Sequence, residues 1–589
     1  MFFNRHLKLI ILVLLLAASA LQAKNQWLGF QNQSSSSPAV VTHIDNLSGT
    51  ELDFQLSGYY RSEVEIEGSS YLLISAPEMT PLLKTGAPDL PKYYRSIIIP
   101  DNAQMQLSVE VLEYHDITVE KLVPSKGNLT RALNPASVPF EFGEEYQQDA
   151  FYPEQIASLS APYVMRDLRG AVIQIHPFRY NPIAGILRIY THLRLNVETV
   201  GLARQAIKTK FTTTLDRGFL PVYENHFINY ASNTVLYDLP VETGNLFIIA
   251  ADNYYNATLP LVNWKRTRGL ATEIIRVSEI GNNASSIKDA IQTRYDSDAG
   301  LTFLLIVGDA PDVAPAIGTS GAASGAASDP TYALLDGGNG DQYPDIFVGR
   351  LSANTITQVE TQVAKIIDYE ANPDPTGDWY QKAMGIASNQ GAGQGDDGEA
   401  DNVHMDNIRT DLLGYGYDPV DQIYDPSASS AQVTSGVNDG RSLINYVGHG
   451  STSSWSTTGF SSSQVNSLNN TGKLPVIVSV ACVNGNFQST TCFAEAWLRA
   501  GSANDQKGAV AFYGSSINQD WAPPMSAQDE FVDLLIADDP LTIGALMFSG
   551  SALMIDEYGS SGFAMYATWH IFGDPSMPLR TQTPQPFTN

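Results

Sequence analysis

LINYVGHG, residues 443–450, and PVIVSVACVNG, residues 475–485, decide the fold. Each runs from a short apolar stretch into small, glycine-rich sequence with one reactive side chain, His449 in the first and Cys482 in the second. Runs of this length ended by Gly or Asn predict buried parallel strands. Residues just past the C-terminal ends of such strands line the crevice in which α/β proteins do chemistry. Two such strand ends can bring His449 and Cys482 together. A thiol needs an adjacent imidazole to become a thiolate near neutral pH, and the imidazolium then protonates the leaving amine. Glycines beside His449 let backbone N–H groups approach a substrate carbonyl closely. Each residue alone also fits a plainer role, since a free cysteine is commonly a small buried apolar side chain.

The length of 589 residues exceeds one hydrophobic core and predicts two or three domains. An apolar fraction of 43% is that of an ordinary globular protein. The 62 acidic against 34 basic residues leave a net charge of −28, which argues against nucleic acid or anionic membrane as partner. That charge suits solubility, calcium and cationic substrates, and a salty habitat explains it equally well. Residues 1–23 read as a signal peptide: Arg5 and Lys8 precede an apolar run, and small residues follow. No later run reaches the ~20 apolar residues of a membrane span. The expectation is a secreted protein, periplasmic or extracellular. Its two cysteines are too few for a disulfide scaffold. Pairing Cys482 with Cys492 would silence the nucleophile; a free Cys482 is expected, with Cys492 at the start of a helix over 493–500.

Residues 24–39 are polar, with four serines in a row, and read as a flexible entry segment. From 40 to 217 alternating stretches such as MQLSVEVLEY and GILRIYTHLRLNVETV predict an all-β domain of antiparallel strands. His115, His176 and His192 there read as structural. From 245 the rhythm becomes strand, helix, strand: NLFIIAA, ATEIIRV, FLLIVGD and DIFVGR as strands, with helices over 260–268, 284–295 and 356–370. A second unit begins at AMGIAS (383–388) and includes a helix over 400–413. It takes in the His449 and Cys482 strands and GAVAFYGSS, and closes with helices over 527–537, 541–554 and 564–572. The fold class is therefore α/β: a doubly wound unit of two α/β subdomains, 237–381 and 382–589, preceded by an all-β domain, 24–217, and a linker, 218–236.

GHGSTSSW, VACVNGNFQSTTCFAEAWLRAG, GSSINQDWAPPMSAQDEF and FGDPSMPLRT together resemble the gingipain family of cysteine peptidases, peptidase family C25 of the caspase-like clan. The likeness continues upstream through YDLPVETGNLFIIAADNY, LLIVGDAPDV and YPDIFVGRLS, and spans about 237–581. It implies a caspase-like catalytic unit. By the same resemblance the all-β domain is a gingipain propeptide covering the active site, with TGAPDLPKYYRSIIIPD most like that family's. Arg204, Lys208, Lys210 and Arg217 are then candidate maturation sites.

The resemblance also implies roles. Cys482 is the nucleophile, His449 the general base and acid, and the N–H groups of Gly450 and Cys482 the oxyanion donors. The family has an acid at the position of Gln390; a neutral amide can still hold the imidazole by a hydrogen bond, but cannot stabilise imidazolium by charge. Asp396 or Asp397 could instead take that place. Asp401 matches the specificity-pocket aspartate, which implies a bidentate pair with a guanidinium and cleavage after Arg, with Lys also admitted. Read without the family, the acids of 396–401 equally suit a helix N-terminus. Trp521 and Met525 match the pocket walls, and Asp520 is an extra acid that would tilt the choice toward Lys. Asp309, Asp329, Asp336, Asp341 and Asp345 lie in Gly-rich loops suited to structural calcium, with Asp396 and Glu399 as a second candidate pair. There is no HExxH or CxxC for zinc. GAGQG at 391–395 lacks the Lys-Ser/Thr of a phosphate loop, and no organic cofactor is expected.

The function these features predict is a secreted cysteine endopeptidase made as a zymogen, cleaving proteins after Arg or Lys and inhibited by its own propeptide. The alternative is a secreted, non-enzymatic binding protein on the same scaffold, prompted by Gln390. An α/β-hydrolase is disfavoured because no GxSxG is present. The sequence ends soon after FGDPSMPLRT, so the immunoglobulin-like and sorting domains that follow in gingipains are not expected.

Overall fold

The period-two sequence of the N-terminal region folds as its alternation demands. Gly49–Gln55 buries Leu52 and Phe54 and turns the residues between them outward. It pairs antiparallel with Ile186–Leu202, which on its other side pairs along most of its length with Ala103–Thr118. A second antiparallel sheet is centred on Pro91–Ile98 and Leu168–Ile175. Leu52, Phe54, Ile97, Ile173, Phe178, Leu193 and Leu195 share a core of their own. His176 and His192 are held by Gln155 O and Asp53 at 2.8 and 2.9 Å.

The computed structural model describes residues 26–30, 39–46, 49–204, 208, 214–231, 241–297, 300–319, 321–338, 340–488, 490–537 and 541–585. The expected signal peptide, most of the serine-rich entry, Lys210 and 237–240 lie outside them. Among the described residues no helix is long and apolar enough to cross a membrane.

The α/β region is one ten-stranded sheet. From edge to edge the strands are Thr272–Arg276, Asn245–Ala250, Leu301–Val307, Phe347–Leu351, Trp569–Phe572, Ala511–Ser515, Val476–Val480, Leu443–Val447, Ala383–Ala387 and Val420–Tyr424. All neighbours are parallel except Trp569–Phe572 against Ala511–Ser515, where the two halves of the sheet meet. Each half begins with the same order, second strand, first, third, fourth, so each has a switch point between its first and third strands. In the second half that point lies between Ala383–Ala387 and Leu443–Val447. Every residue of Leu443–Val447 and Val476–Val480 is buried, as a parallel sheet with helices on both faces requires.

Helix Ile356–Ala371 turns Val359, Val363 and Ile366 inward and is capped by Thr355, whose side chain accepts from the Gln358 N–H. Three sequence expectations change. The first helix of the unit is Tyr255–Thr267 and carries Pro260 inside it rather than at its start. The last helix is Ser560–Thr568, and WHIF is a strand, its aromatic and β-branched residues filling the seam between the half-sheets. The supposed linker contains helix Leu220–His226, whose Val222 and Tyr223 are buried beside Phe219, itself stacked on Phe347.

Candidate active site

Strand register brings the two reactive segments side by side. Val447 is paired with Val480, and the Gly448 N–H donates to Val480 O at 3.1 Å. His449 and Cys482 therefore leave neighbouring strands two residues beyond that pair. Asn484 ties the two exits together: Nδ2 donates to Ser451 O at 2.6 Å and Ser454 O at 3.2 Å, while Oδ1 accepts from the Ser479 hydroxyl. A β-carbon on Gly450 would lie 3.0 Å from Ala481 Cβ, Asn484 Nδ2 and Cys482 O, a crowding that glycine avoids where this backbone meets the thiol segment. Just after Cys482, Val483 adopts φ 47°, a left-handed turn that is costly for a β-branched residue.

Gln390, beyond the end of Ala383–Ala387 on the far side of the switch point, places Oε1 3.1 Å from His449 Nε2. An acceptor there requires the proton on Nε2 and leaves Nδ1 as the basic nitrogen. The ring stands edge-on to Trp521 at 5.6 Å. Among the described residues His449 and the Cys482 thiol share no hydrogen bond. Cys482 is 5% exposed. Burial pushes its pKa up, opposed by a hydrogen bond from the Gln519 backbone and by the Arg131 charge.

The all-β domain docks beside the thiol segment. Its segment 129–131 runs antiparallel along 519–521: the Arg131 N–H donates to Gln519 O at 2.7 Å and the Trp521 N–H to Leu129 O at 2.9 Å. Arg131 enters a closed pocket whose floor is Asp401, both side chains 0% exposed. Arg131 Nη1 donates to both Asp401 oxygens at 2.9 and 3.1 Å, and Nη2 to Trp521 O at 3.3 Å. The guanidinium lies 4.5 Å from the Trp521 ring centre. The expected two-nitrogen fork on the carboxylate is thus replaced by one nitrogen on Asp401 and the other on the Trp521 carbonyl.

Asp401 opens helix Asp401–Tyr415, where the helix dipole favours a carboxylate. Its N–H donates to Gln390 O at 2.9 Å, and the Ser388 hydroxyl donates to Oδ2 at 2.5 Å. One loop therefore holds both the imidazole's partner and the pocket floor. Gly391, at φ +89°, meets the Trp521 ring at 2.7 Å from where a β-carbon would sit, and the same construction at Gly395 meets the Met525 methyl at 2.8 Å. Asp520 departs from its expected role, because its carboxylate accepts from Asn128 Nδ2 at 2.6 Å rather than from Arg131.

The acids read as calcium ligands have other partners. Asp329 accepts from Arg350 at 2.6 and 3.0 Å, and Asp309 pairs with Arg499 at 3.2 Å. Asp336 accepts from the Gly337 N–H. Asp341 and Asp345 accept backbone N–H groups of Val164 and Arg166 from the all-β domain, each at 2.8 Å. Asp396 takes the Tyr558 hydroxyl, and Glu399 the Asn407 amide. Among the described residues no group of three or more His, Cys, Asp or Glu converges to hold a metal ion. Desolvation, with the charges of Asp529 and Glu399, raises half-buried Asp396 to about 7, and its hydrogen bond is to Tyr558 rather than to His449.

Ser388, Gln519, Asn484 and Arg131 are the site residues without a sequence signal of their own. Cys492 is free, like Cys482, and caps helix Phe493–Arg499. Of the maturation candidates, Arg204 and Arg217 are exposed, and Lys208 donates to Asp167 O.

Residues 240–580 match the family model for peptidase family C25, and 31–234 match that for its propeptide. The chain is similar to gingipain R2 of Porphyromonas gingivalis, 33% identical over 545 residues that make up 91% of this chain and 73% of that protein. It is also similar to Lys-gingipain of the same organism, 25% identical, though it spans only 34% of that protein. Among solved structures it resembles the Arg-specific cysteine proteinase gingipain R with a TM-score of 0.56 and 36% identity, covering 58% of this chain and 79% of that one. A complex of the Porphyromonas gingivalis RgpB pro- and mature domains gives TM-score 0.56 and 35% identity, covering 58% and 81%.

Proposed function

The chain belongs to peptidase family C25 and is a cysteine-type endopeptidase with its propeptide attached; from that premise we propose that it is an exported zymogen that cleaves proteins after arginine. Arg131 in the Asp401 pocket is the observation that carries this reading, because it occupies the place of a substrate side chain. Asp401 supplies the counter-charge, Trp521 the stacking face and the Trp521 carbonyl a second acceptor. A lysine ammonium could replace only the first of these hydrogen bonds, so arginine outranks lysine.

In the proposed reaction His449 Nδ1 takes the Cys482 proton, and the thiolate attacks the carbonyl carbon after the bound arginine. The N–H groups of Gly450 and Cys482 stabilise the oxyanion. The imidazolium then protonates the leaving amine, and water hydrolyses the thioester with His449 again as base. Gln390 fixes the tautomer by accepting from Nε2. The propeptide blocks this sequence by filling the pocket. Cleavage of an arginine peptide by the processed protein, absent in Cys482→Ala, tests the reading.

Gln390→Glu is expected to move the alkaline limb of the pH–rate profile up by about 1 unit, since a carboxylate beside the imidazolium raises its pKa. Gln390→Ala should lower kcat without that shift. An unchanged profile in the Glu variant would remove Gln390 from its positioning role.

Latency should weaken as pH rises. At the docked interface desolvation raises Asp520 to about 6 and half-buried Asp341, which accepts the propeptide's Val164 N–H, to about 8. A carboxyl raised on docking favours the docked state while protonated, so docking is strongest below its free value near 4 and is lost progressively as pH climbs toward the raised value. Lys92, lowered to about 8 by burial, has the opposite sign, but its cost is constant below that pH and does not reverse the trend. Dissociation of nicked Cys482→Ala protein, followed by size-exclusion chromatography, should increase between about pH 5 and pH 8. A flat or inverted profile contradicts it.

A further inference from the structure

Resting on the arginine reading, we propose that Asp520 forms a second specificity subsite, which takes a cationic side chain three residues before the arginine held by Asp401. The propeptide strand defines the geometry. Thr130 is paired opposite Asp520, between the Arg131–Gln519 and Trp521–Leu129 hydrogen bonds. Alternation along a strand puts Arg131 on the face of Asp401 and Trp521, and Asn128 with Thr130 on the opposite face, which Asp520 shares. Asn128 Nδ2 donates to Asp520 Oδ2 at 2.6 Å, and Asp520 is only 6% exposed.

The amide fits this place only in half. Asn128 Oδ1 is buried and makes no hydrogen bond. Its counterpart in a lysine or arginine does not exist, since those side chains carry donors alone. A cation therefore satisfies the Asp520 carboxylate without leaving a buried acceptor unpaired. There is also room for a longer side chain. Asn128 borders a cavity of about 600 Å³ whose catalytic-side wall includes Asp556 and Glu557. The propeptide already sends one cation toward this acidic face: Lys92 is buried near Glu557 and Asp396, 5.1 Å from the Tyr558 ring centre. Burial raises Asp520 to about 6, opposed by the Asn128 hydrogen bond and the Arg131 charge, so the carboxylate is anionic at neutral pH.

The test uses the processed protein with two kinds of fluorogenic substrate. One is a blocked single arginine with nothing upstream. The other is a tetrapeptide series X-Leu-Thr-Arg with X as Lys, Asn, Leu or Glu. The expected result is that Lys exceeds Leu and Glu in kcat/KM by roughly 10-fold. In Asp520→Asn this ratio should fall toward one, and Asp520→Glu should restore part of it. The ratio within each variant is the readout, so a general loss of activity does not mimic the effect. Equal rates across the series, or a Lys preference that survives Asp520→Asn, overturns the subsite while the arginine assignment stands. Failure to cleave the single-arginine substrate overturns the arginine assignment and this subsite with it.

Discussion

Asp401→Asn is expected to lower kcat/KM for arginine substrates by about 10²–10⁴-fold while sparing the fold. The carboxylate has no solvent exposure, and the guanidinium it meets is equally enclosed. A charge buried without its counter-charge costs about 3–5 kcal/mol, which at about 1.4 kcal/mol per decade gives that range. Asparagine keeps the size of the side chain and an oxygen for the Ser388 hydroxyl, so the pocket loses charge rather than shape. Matched peptides ending in Arg and in Leu, assayed on both proteins, check this. A loss below 10-fold on Arg would show that Asp401 is not the pocket's counter-charge.

The second large effect is on latency. Arg131→Ala removes the guanidinium and leaves Asp401 buried and unpaired beneath the propeptide. By the same reasoning docking should weaken by about 10²–10⁴-fold, and arginine-peptidase activity should appear earlier in the full-length chain. Arg131→Lys should fall between the two, because an ammonium reaches Asp401 but cannot also serve the Trp521 carbonyl and stack on its ring. The onset of activity in freshly purified full-length protein, compared across the three, is the measurement. Equal lag times would mean that latency resides in the rest of the interface, such as Arg166 and the Asp341–Asp345 loop.

The sheet was legible where burial leaves its mark on composition. LINYV and VIVSV are apolar because both faces are covered, and their abrupt glycine and asparagine endings mark the exits that carry His449 and Cys482. WHIF was misread because four residues after a helix do not say whether the helix continues; only the antiparallel pairing with Ala511–Ser515 fixes them as a strand. The acidic loops pointed to calcium because carboxylates in glycine-rich sequence resemble ligand loops. Their partners, Arg499 for Asp309 and Val164 and Arg166 for Asp341 and Asp345, lie too far away in the chain for any local pattern to show. Arg131 sits in NLTRALNP, a stretch with no periodicity and no cluster of reactive groups. Its meaning comes only from docking against Gln519 and Trp521. Gln390 could be placed at His449 only by family resemblance, since the contact spans two strands on either side of the switch point.

Cleavage of matched fluorogenic peptides ending in Arg, Lys or Leu by the processed protein, in the presence of reductant, tests the central claim most directly, with Cys482→Ala as the parallel control. Turnover is expected in the order Arg, then Lys, with Leu far below, and a loss of about 10⁵-fold or more in the variant. Turnover of arginine peptides that survives Cys482→Ala, or no turnover of any peptide once the propeptide is removed, would contradict it.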